Sequence, residues 1–97
     1  MKRPYELTYV LRIDPSEDVM NQSMNEIKDW IETDDLGQVT KIDRWGRRKL
    51  AYEIDKQREG FYVHIHADIE TSSIEELERN LQLAPHVLRY LLIRRDE

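Results

Sequence analysis

The chain has 97 residues, of which 39% are hydrophobic, and this size predicts one domain, residues 1–97, with a single core. It contains no cysteine, which excludes disulfide bonds and thiolate chemistry and fits a reducing cytosol. No apolar run approaches the roughly 20 residues of a membrane helix, so neither a membrane segment nor a signal peptide is expected. The formal net charge of −5 argues against general nucleic-acid binding.

The first third of the chain shows a strand pattern followed by a helix pattern. Apolar and polar residues alternate over residues 5–13, which predicts a strand with one buried face. Residues 14–17 (DPSE) predict a helix start, with Asp14 as cap, Pro15 at the first helical position and Glu17 completing a capping box. The apolar stripe of this helix is Met20, Met24, Ile27 and Ile31. Gly37 is expected to end the helix region.

The middle of the chain predicts two further strands. The segment 38–54 is long and mixed, with Gly46 at its centre, and is interpreted as a strand interrupted by a bulge or a mobile loop that resumes at Leu50. Residues 55–60 are polar and predict a turn. Strict alternation over residues 61–69 then predicts the third strand.

The last third repeats the helix and strand patterns. Residues 72–75 (SSIE) resemble a capping box, and an apolar stripe follows until Pro85, made by Ile74, Leu77 and Leu81. Residues 87–94 predict the fourth strand. The order βαββαβ predicts an α+β fold of the ferredoxin-like type, in which two helices cover one face of a four-stranded antiparallel sheet.

The sequence offers little support for catalysis. It has three glycines and no Gly-rich phosphate loop or dinucleotide fingerprint. Its serines fit helix caps or helix faces, and none stands beside an activating base. The carboxylates of the two helix regions are expected to form solvated acidic faces. We therefore expect no enzyme, no catalytic residue, no cofactor and no small-molecule substrate.

Three potential metal ligands alternate along the third strand: His64, His66 and Asp68. Side chains on the same face of a strand are about 6.5–7 Å apart at the backbone, which is too far for neighbours to share one zinc ion easily. A metal site would need ligands from another strand, so no metal site is predicted.

A short basic run stands out in this acidic chain. Residues 44–49 (RWGRRK) carry four cations, and the aromatic residues Trp45 and Tyr52 flank the run. The acidic excess lies elsewhere, because residues 1–35 hold 4 cations and 9 anions whereas residues 36–97 hold 11 of each. Clustered arginines favour an RNA phosphate backbone as partner, and the aromatic rings could stack on bases. The alternative is a solvated hairpin whose aromatic residues pack into the sheet.

The fourth strand is apolar on both faces. One face carries Leu88, Tyr90 and Leu92; the other carries Val87, Leu91 and Ile93 and is broken only by Arg89. Helices on one side of the sheet would leave the second apolar face uncovered, and such patches mark protein interfaces. The expected face for a protein partner comprises Val10, Leu91 and Ile93. An extra-buried edge and a homodimer interface are the alternatives.

These residues resemble a known family. The βαββαβ order, Tyr5-Glu6 after a basic N-terminus, residues 45–54 (WGRRKLAYEI) and residues 60–62 (GFY) are similar to bacterial small-subunit ribosomal protein six, the S-six family. The mark of that family is a stretch Gly-x-Arg-Arg/Lys-Leu-Ala-Tyr-Pro-Ile, followed by a glycine with aromatic neighbours. The similarity extends over residues 5–94.

The resemblance implies a structural protein of the cytoplasmic ribosome, without catalysis. It would bind small-subunit ribosomal RNA together with small-subunit protein eighteen, in the central domain, or platform, of the small subunit. The residues expected to contact RNA phosphates are Lys2, Arg3, Arg47, Arg48, Lys49 and Arg89. Arg47 occupies the variable position of the motif. Two residues depart from the family pattern, since Glu53 replaces the usual proline and Trp45 replaces an aliphatic residue.

Three other protein classes share this element order. A small-molecule-sensing regulatory module is the main alternative, although such modules bind ligands near Gly-rich loops. An RNA-recognition motif would present several exposed aromatic residues on its third strand, where this chain has Tyr62 followed by two histidines. An acyl-phosphatase-like enzyme needs a phosphate-cradling loop after the first strand, where residues 13–17 are acidic.

Overall fold

The computed structural model describes residues 1–95, so the last two residues of the predicted domain lie outside the described part. The elements are β1 (Lys2–Leu11), α1 (Glu17–Glu32), β2 (Gly37–Ile54), β3 (Gln57–Glu70), α2 (Ile74–Leu83) and β4 (Val87–Arg94). The strands form one sheet in the order β2-β3-β1-β4, and every neighbouring pair is antiparallel. The predicted βαββαβ, ferredoxin-like fold is confirmed. Across the described residues, neither helix has the length and apolarity needed to cross a membrane.

The hydrophobic core lies between the helices and one face of the sheet. β1 occupies a central position, pairs with both β3 and β4, and directs Leu7, Tyr9 and Leu11 into the core. Both helices bury the apolar stripes that their spacing predicts, although Ile74 is only partly buried. The buried helix residues are Met20, Met24, Ile27, Ile31, Leu77 and Leu81. Each large apolar side chain stabilises the fold by about 1.5–3 kcal/mol, which gives the two-layer arrangement its stability.

The start of α1 differs from the sequence prediction. Ser16, not Asp14, is the N-cap, because its Oγ accepts a hydrogen bond of 3.3 Å from the backbone N–H of Val19. Asp14 instead accepts a bond of 2.8 Å from the N–H of Ser16 and forms a local turn. The predicted capping box is therefore wrong, because the helix begins at Glu17, two residues after Pro15.

The start of α2 also differs from the prediction. Ser73 occupies the N-cap position but makes no capping hydrogen bond. Its hydroxyl donates to the carbonyl oxygen of Glu70 at 2.9 Å and thereby stabilises a 3-10 turn over Thr71–Ser73. The predicted capping box needs Ser72 as the N-cap and is wrong, because the helix begins one residue later, at Ile74, and the hydroxyl of its actual N-cap residue bonds to the preceding backbone.

The hairpin formed by β2 and β3 is longer than predicted, because β3 begins at Gln57 and ends at Glu70. β2 continues over 18 residues, and its register with β3 shifts at three points, one of them between Arg44 and Gly46. The predicted bulge is therefore present, and β2 continues through it as a strand. The turn predicted over residues 55–60 contains only Asp55 and Lys56, whose φ angles of 50° and 65° fit a tight two-residue hairpin turn.

Tyr9 is the core residue with the most strongly shifted ionisation. Its side chain is 1% exposed, and burial raises the pKa of its hydroxyl well above the ordinary value, while the charge of Arg44 partly opposes the rise. The folded state therefore keeps Tyr9 neutral at a pH where an unfolded tyrosine, with a pKa of about 10, has lost its proton. Stability from this group is complete below about pH 10 and falls as the pH rises further.

Tyr9→Phe is expected to flatten the alkaline loss of stability. Above about pH 10, the parent chain should lose up to about 1.4 kcal/mol of unfolding free energy per pH unit through this one group. Urea unfolding at pH 9, 10 and 11 measures the slope. Tyr52→Phe, at an exposed tyrosine, is the control and should retain the parent slope. Parallel pH profiles for the parent and Tyr9→Phe would contradict the burial argument.

Candidate nucleic-acid interface

The helices leave one face of the sheet uncovered, and we call it the open face. β1 and β3 pair so that alternate polar residues of each strand stand side by side there. The edge strand β4 adds residues opposite those of β1. Its members include Glu6, Thr8, Val10, Tyr62, His64, His66, Arg89, Leu91 and Ile93.

A stack of aromatic rings covers the β2 side of the open face. The ring of Trp45 lies 5.1 Å from that of His64, with 6° between their planes, and 6.5 Å from that of Tyr62, with 18°. Trp45 lies at the register shift between Arg44 and Gly46. The backbone at position 46 has a φ angle of 84°, which glycine adopts without steric cost. The bulge thus directs Trp45 onto the sheet, and the indole remains 44% exposed.

Two of the arginines predicted to bind RNA lie against aromatic rings. The guanidinium carbon of Arg48 lies 6.0 Å from the ring centroid of Trp45. That of Arg89 lies 5.9 Å from the ring centroid of Tyr52, and its Nη1 donates to the tyrosine hydroxyl at 3.3 Å. Each contact contributes about 0.5–1 kcal/mol at an exposed site and restricts the orientation of the guanidinium group. Arg48 and Arg89 therefore lie on one surface, although they come from opposite edges of the sheet.

The outer part of the hairpin bends back across the sheet. Asp55 at its turn forms an ion pair with Arg12, the residue that follows β1. A Cβ atom added to Gly60 would lie 2.3 Å from Cγ1 of Val10 and 3.4 Å from Cδ2 of Leu50. The glycine thus permits this close approach, and Val10 is only 2% exposed. Val10 supports the open face from beneath and contributes almost no accessible surface to it.

The remaining cations of the basic run lie elsewhere. Arg47 pairs with Glu59, with its Nε at 2.9 Å and its Nη2 at 2.8 Å from the carboxylate. Arg44 and Arg47 border a groove against the residues that connect β1 to α1. Lys49 stands opposite Glu59 in the strand register. The bulge and the alternation of the strand therefore divide the basic run between the two faces of the hairpin.

The N-terminal cations lie far from the hairpin. Lys2 and Arg3 pair with the end of β3, opposite Glu70 and Ile69, whereas Leu11 at the other end of β1 pairs with Phe61. Nine residues of extended strand separate the two ends by about 30 Å. The structure therefore does not bring Lys2 and Arg3 together with Arg48.

β4 exposes apolar residues beyond the stack. Leu91 is 58% and Ile93 is 48% exposed, and both belong to an edge strand of the sheet. Val87, which the alternation places on the same face, packs against the core instead. The register between β1 and β4 shifts after Val10, and this shift turns Val87 to the helix side, so that prediction is wrong.

Glu6 and Thr8 of β1 are two residues of the open face that were not predicted from the sequence. His64 lies between Thr8 and Glu6 of β1, with Nδ1 at 2.7 Å from the threonine Oγ1 and Nε2 at 2.9 Å from a carboxylate oxygen. Both partners occupy polar positions of the first strand, and in a βαββαβ fold that strand pairs with the third. This topological rule was the available signal.

Glu53, which replaces the family proline, remains within β2. Its carboxylate oxygen Oε2 lies 3.7 Å from Nε of Arg58 in β3.

Comparison with known proteins identifies the family of this chain. The family model described as Ribosomal protein S6 matches residues 4–94. The chain belongs to the ribosomal protein S6 family. It is 45% identical over 93 residues to small ribosomal subunit protein bS6 of Alkaliphilus metalliredigens, over 96% of this chain and 97% of the relative. It is 39% identical over 97 residues to bS6 of Carboxydothermus hydrogenoformans, over the full length of both.

A solved structure supports the same assignment. The crystal structure of 30S ribosomal protein S6 from Thermotoga maritima is similar with a TM-score of 0.89 and 30% identity, and the match covers 98% of this chain and 89% of that one. The resemblance noted from the sequence is confirmed. Members of the S6 family are structural components of the small ribosomal subunit in the cytoplasm, not enzymes, and the chain shares this role.

Proposed function

We propose that this S6-family chain binds small-subunit ribosomal RNA jointly with small-subunit protein eighteen, in the central domain of the subunit. The cations that would contact phosphates are Lys2, Arg3, Arg47, Arg48, Lys49 and Arg89. The observation that carries the proposal is that Arg48 and Lys49 have no carboxylate partner among the described residues. Within residues 1–95 neither forms an ion pair, although carboxylates outnumber cations in the whole chain.

The open face suits a nucleic acid for two physical reasons. A cation without a carboxylate partner binds a phosphate without first breaking an ion pair, so the counterions that the RNA releases favour binding directly. Trp45 and Tyr52, at 44% and 62% exposure, offer ring faces on which bases or sugars can stack. Arg48 and Arg89 lie against these same rings, so phosphate and base contacts would fall on one surface.

The other cations are expected to contribute differently. Arg47 must exchange Glu59 for a phosphate, so its net contribution is smaller than that of Arg48. Lys2 and Arg3 are about 30 Å from the hairpin and would contact a separate stretch of RNA. All of these contacts are to phosphates, and they fix the position of the protein without reading sequence.

The partner protein supplies what the acidic chain lacks. With a net charge of −5, the chain alone is repelled by RNA at long range, and a basic partner would reverse this repulsion. Leu91 and Ile93 provide an exposed apolar surface on the edge strand for that partner, with Val10 packed beneath the same face. Burying two such side chains favours association by several kcal/mol.

Reversing the charge of Arg48 and Lys49 tests the RNA contact. The double variant Arg48→Glu/Lys49→Glu, in complex with protein eighteen, is expected to bind central-domain RNA at least tenfold more weakly. The slope of log affinity against log salt should decrease by about two, because two phosphate contacts are lost. Filter binding at four salt concentrations measures both quantities.

The control for this experiment has the same change in net charge. Lys28→Glu/Arg79→Glu places the two reversals on α1 and α2, on the opposite side of the sheet. It should leave the salt slope within experimental error. Equal slopes for the hairpin variant and the parent would refute phosphate contact by Arg48 and Lys49.

Removing the apolar surface of β4 tests the partner contact. Leu91→Ser/Ile93→Ser is expected to weaken binding to protein eighteen by about a hundredfold, because two apolar side chains no longer become buried. Calorimetric titration measures the affinity, and the thermal unfolding curve shows that the sheet is intact. Val19→Ser/Leu83→Ser removes two exposed apolar residues from the helices, at 42% and 74% exposure, and should have little effect. Comparable losses for both double variants would contradict a partner site on β4.

A further inference from the structure

Two histidines and a glutamate converge on the open face. The carboxylate oxygen Oε1 of Glu6 lies 2.9 Å from Nε2 of His64 and 3.9 Å from Nε2 of His66. The three side chains each offer a ligand atom, and these atoms lie within 4.8 Å of one another. All three side chains are partly buried, at 15% to 34% exposure, so any ion held there remains accessible to solvent on one side.

Antiparallel pairing of β1 and β3 produces this cluster. His64 and His66 are two residues apart on β3 and share a face, and Glu6 stands directly opposite His66 on β1. The backbone spacing of about 6.5–7 Å does not determine the separation of the ring nitrogens, because the imidazoles tilt toward each other. Their centroids are 5.0 Å apart, with 73° between the planes. The backbone spacing along β3 therefore does not prevent a metal site, because the third ligand comes from β1.

We propose that Glu6, His64 and His66 form a binding site for a divalent cation of the zinc class, with water as the fourth ligand. Ligand atoms at 2.0–2.2 Å from a tetrahedral zinc ion are about 3.3–3.6 Å apart. The two nitrogen–oxygen separations in the structure, 2.9 and 3.9 Å, lie on either side of this range. Two imidazoles with one carboxylate suit zinc better than calcium or magnesium, which prefer sets of oxygen ligands.

The surroundings of His64 fit a metal ligand. When Nε2 binds a cation, Nδ1 carries the ring proton, and Thr8 Oγ1 at 2.7 Å accepts a hydrogen bond from it. Trp45 stacks on the same imidazole and holds its plane. A hydrogen-bond acceptor on the outer nitrogen and a ring packed against the face are what orient a metal-binding histidine.

Arg95 opposes binding at the second histidine. Its Nη1 lies 2.8 Å from Nδ1 of His66, and its Nε lies 3.4 Å from Oε2 of Glu6. When Nε2 of His66 binds a cation, Nδ1 carries a proton and cannot accept from the guanidinium group. The cation must therefore displace Arg95, whose side chain is 40% exposed and can move into solvent. Arg95 thus acts as a competing charge, and removing it should strengthen metal binding.

Titration of the isolated full chain with zinc chloride tests the proposal, and its outcome is independent of RNA or protein binding. Calorimetry at pH 7.5 should show one zinc ion per chain. His64→Gln/His66→Gln should weaken binding at least tenfold, whereas Arg95→Gln should tighten it about tenfold. His86→Gln is the control, because this third histidine faces Glu26 of α1 at 3.2 Å, and it should leave the affinity within twofold.

Nitrogen-detected spectra of the histidines identify the ligand atoms. Zinc should shift the Nε2 signals of His64 and His66 and leave those of His86 unchanged. A gain of affinity in Arg95→Gln cannot arise from misfolding, so this variant keeps the test decisive even where the double variant is destabilised. Absence of binding up to 1 mM zinc, affinity that persists without both histidines, or an unchanged affinity in Arg95→Gln would each overturn the proposal.

Discussion

A sheet has two faces, and in this fold the helices cover only one of them. The rest of the structure depends on what happens to the other face. The 18-residue strand β2 is long enough to bend back over it, and the bulge before Gly46 directs Trp45 onto the rings of Tyr62 and His64. Close contact at Gly60 buries Val10 beneath the hairpin. The chain therefore covers the half of its open face next to β2 and leaves the half next to β4 exposed.

The partial cover of the open face also places the charged groups and the apolar groups in different parts of that face. Arg48 lies against the ring of Trp45, and Arg89 lies against the ring of Tyr52. The aromatic residues that cover the open face therefore also hold these two cations on it. Leu91 and Ile93 lie beyond the reach of the hairpin and keep about half of their surface in water. An acidic protein can in this way present a cationic, aromatic surface beside an apolar one, which is the combination expected of a ribosomal protein with both RNA and protein neighbours.

The sequence predicts most of the fold because each strand and helix buries one face. The alternation in β1 and β3 and the stripes of both helices are sufficient for the βαββαβ order, and β4 has the predicted bounds. Details set by single hydrogen bonds were not predictable, since Asp14 and Ser16 are both suitable caps. The register shift that turns Val87 inward depends on tertiary packing. Within the candidate site, the basic run was evident, but the proximity of Glu6 to His64 depends on which strands pair.

Footprinting of the assembled subunit tests the central claim, that the open face carries the interactions of this chain in the ribosome. Hydroxyl radicals would be applied to the isolated chain and to small subunits that contain it, followed by mass spectrometry of Trp45, Tyr52 and Leu91. All three are at least 44% exposed in the isolated chain. The comparison residues are Leu83 of α2, which is 74% exposed, and Val19 of α1, which is 42% exposed. We expect assembly to protect Trp45, Tyr52 and Leu91 severalfold and to leave Val19 and Leu83 reactive. Protection of the helix residues with continued oxidation of Trp45, Tyr52 and Leu91 would contradict it.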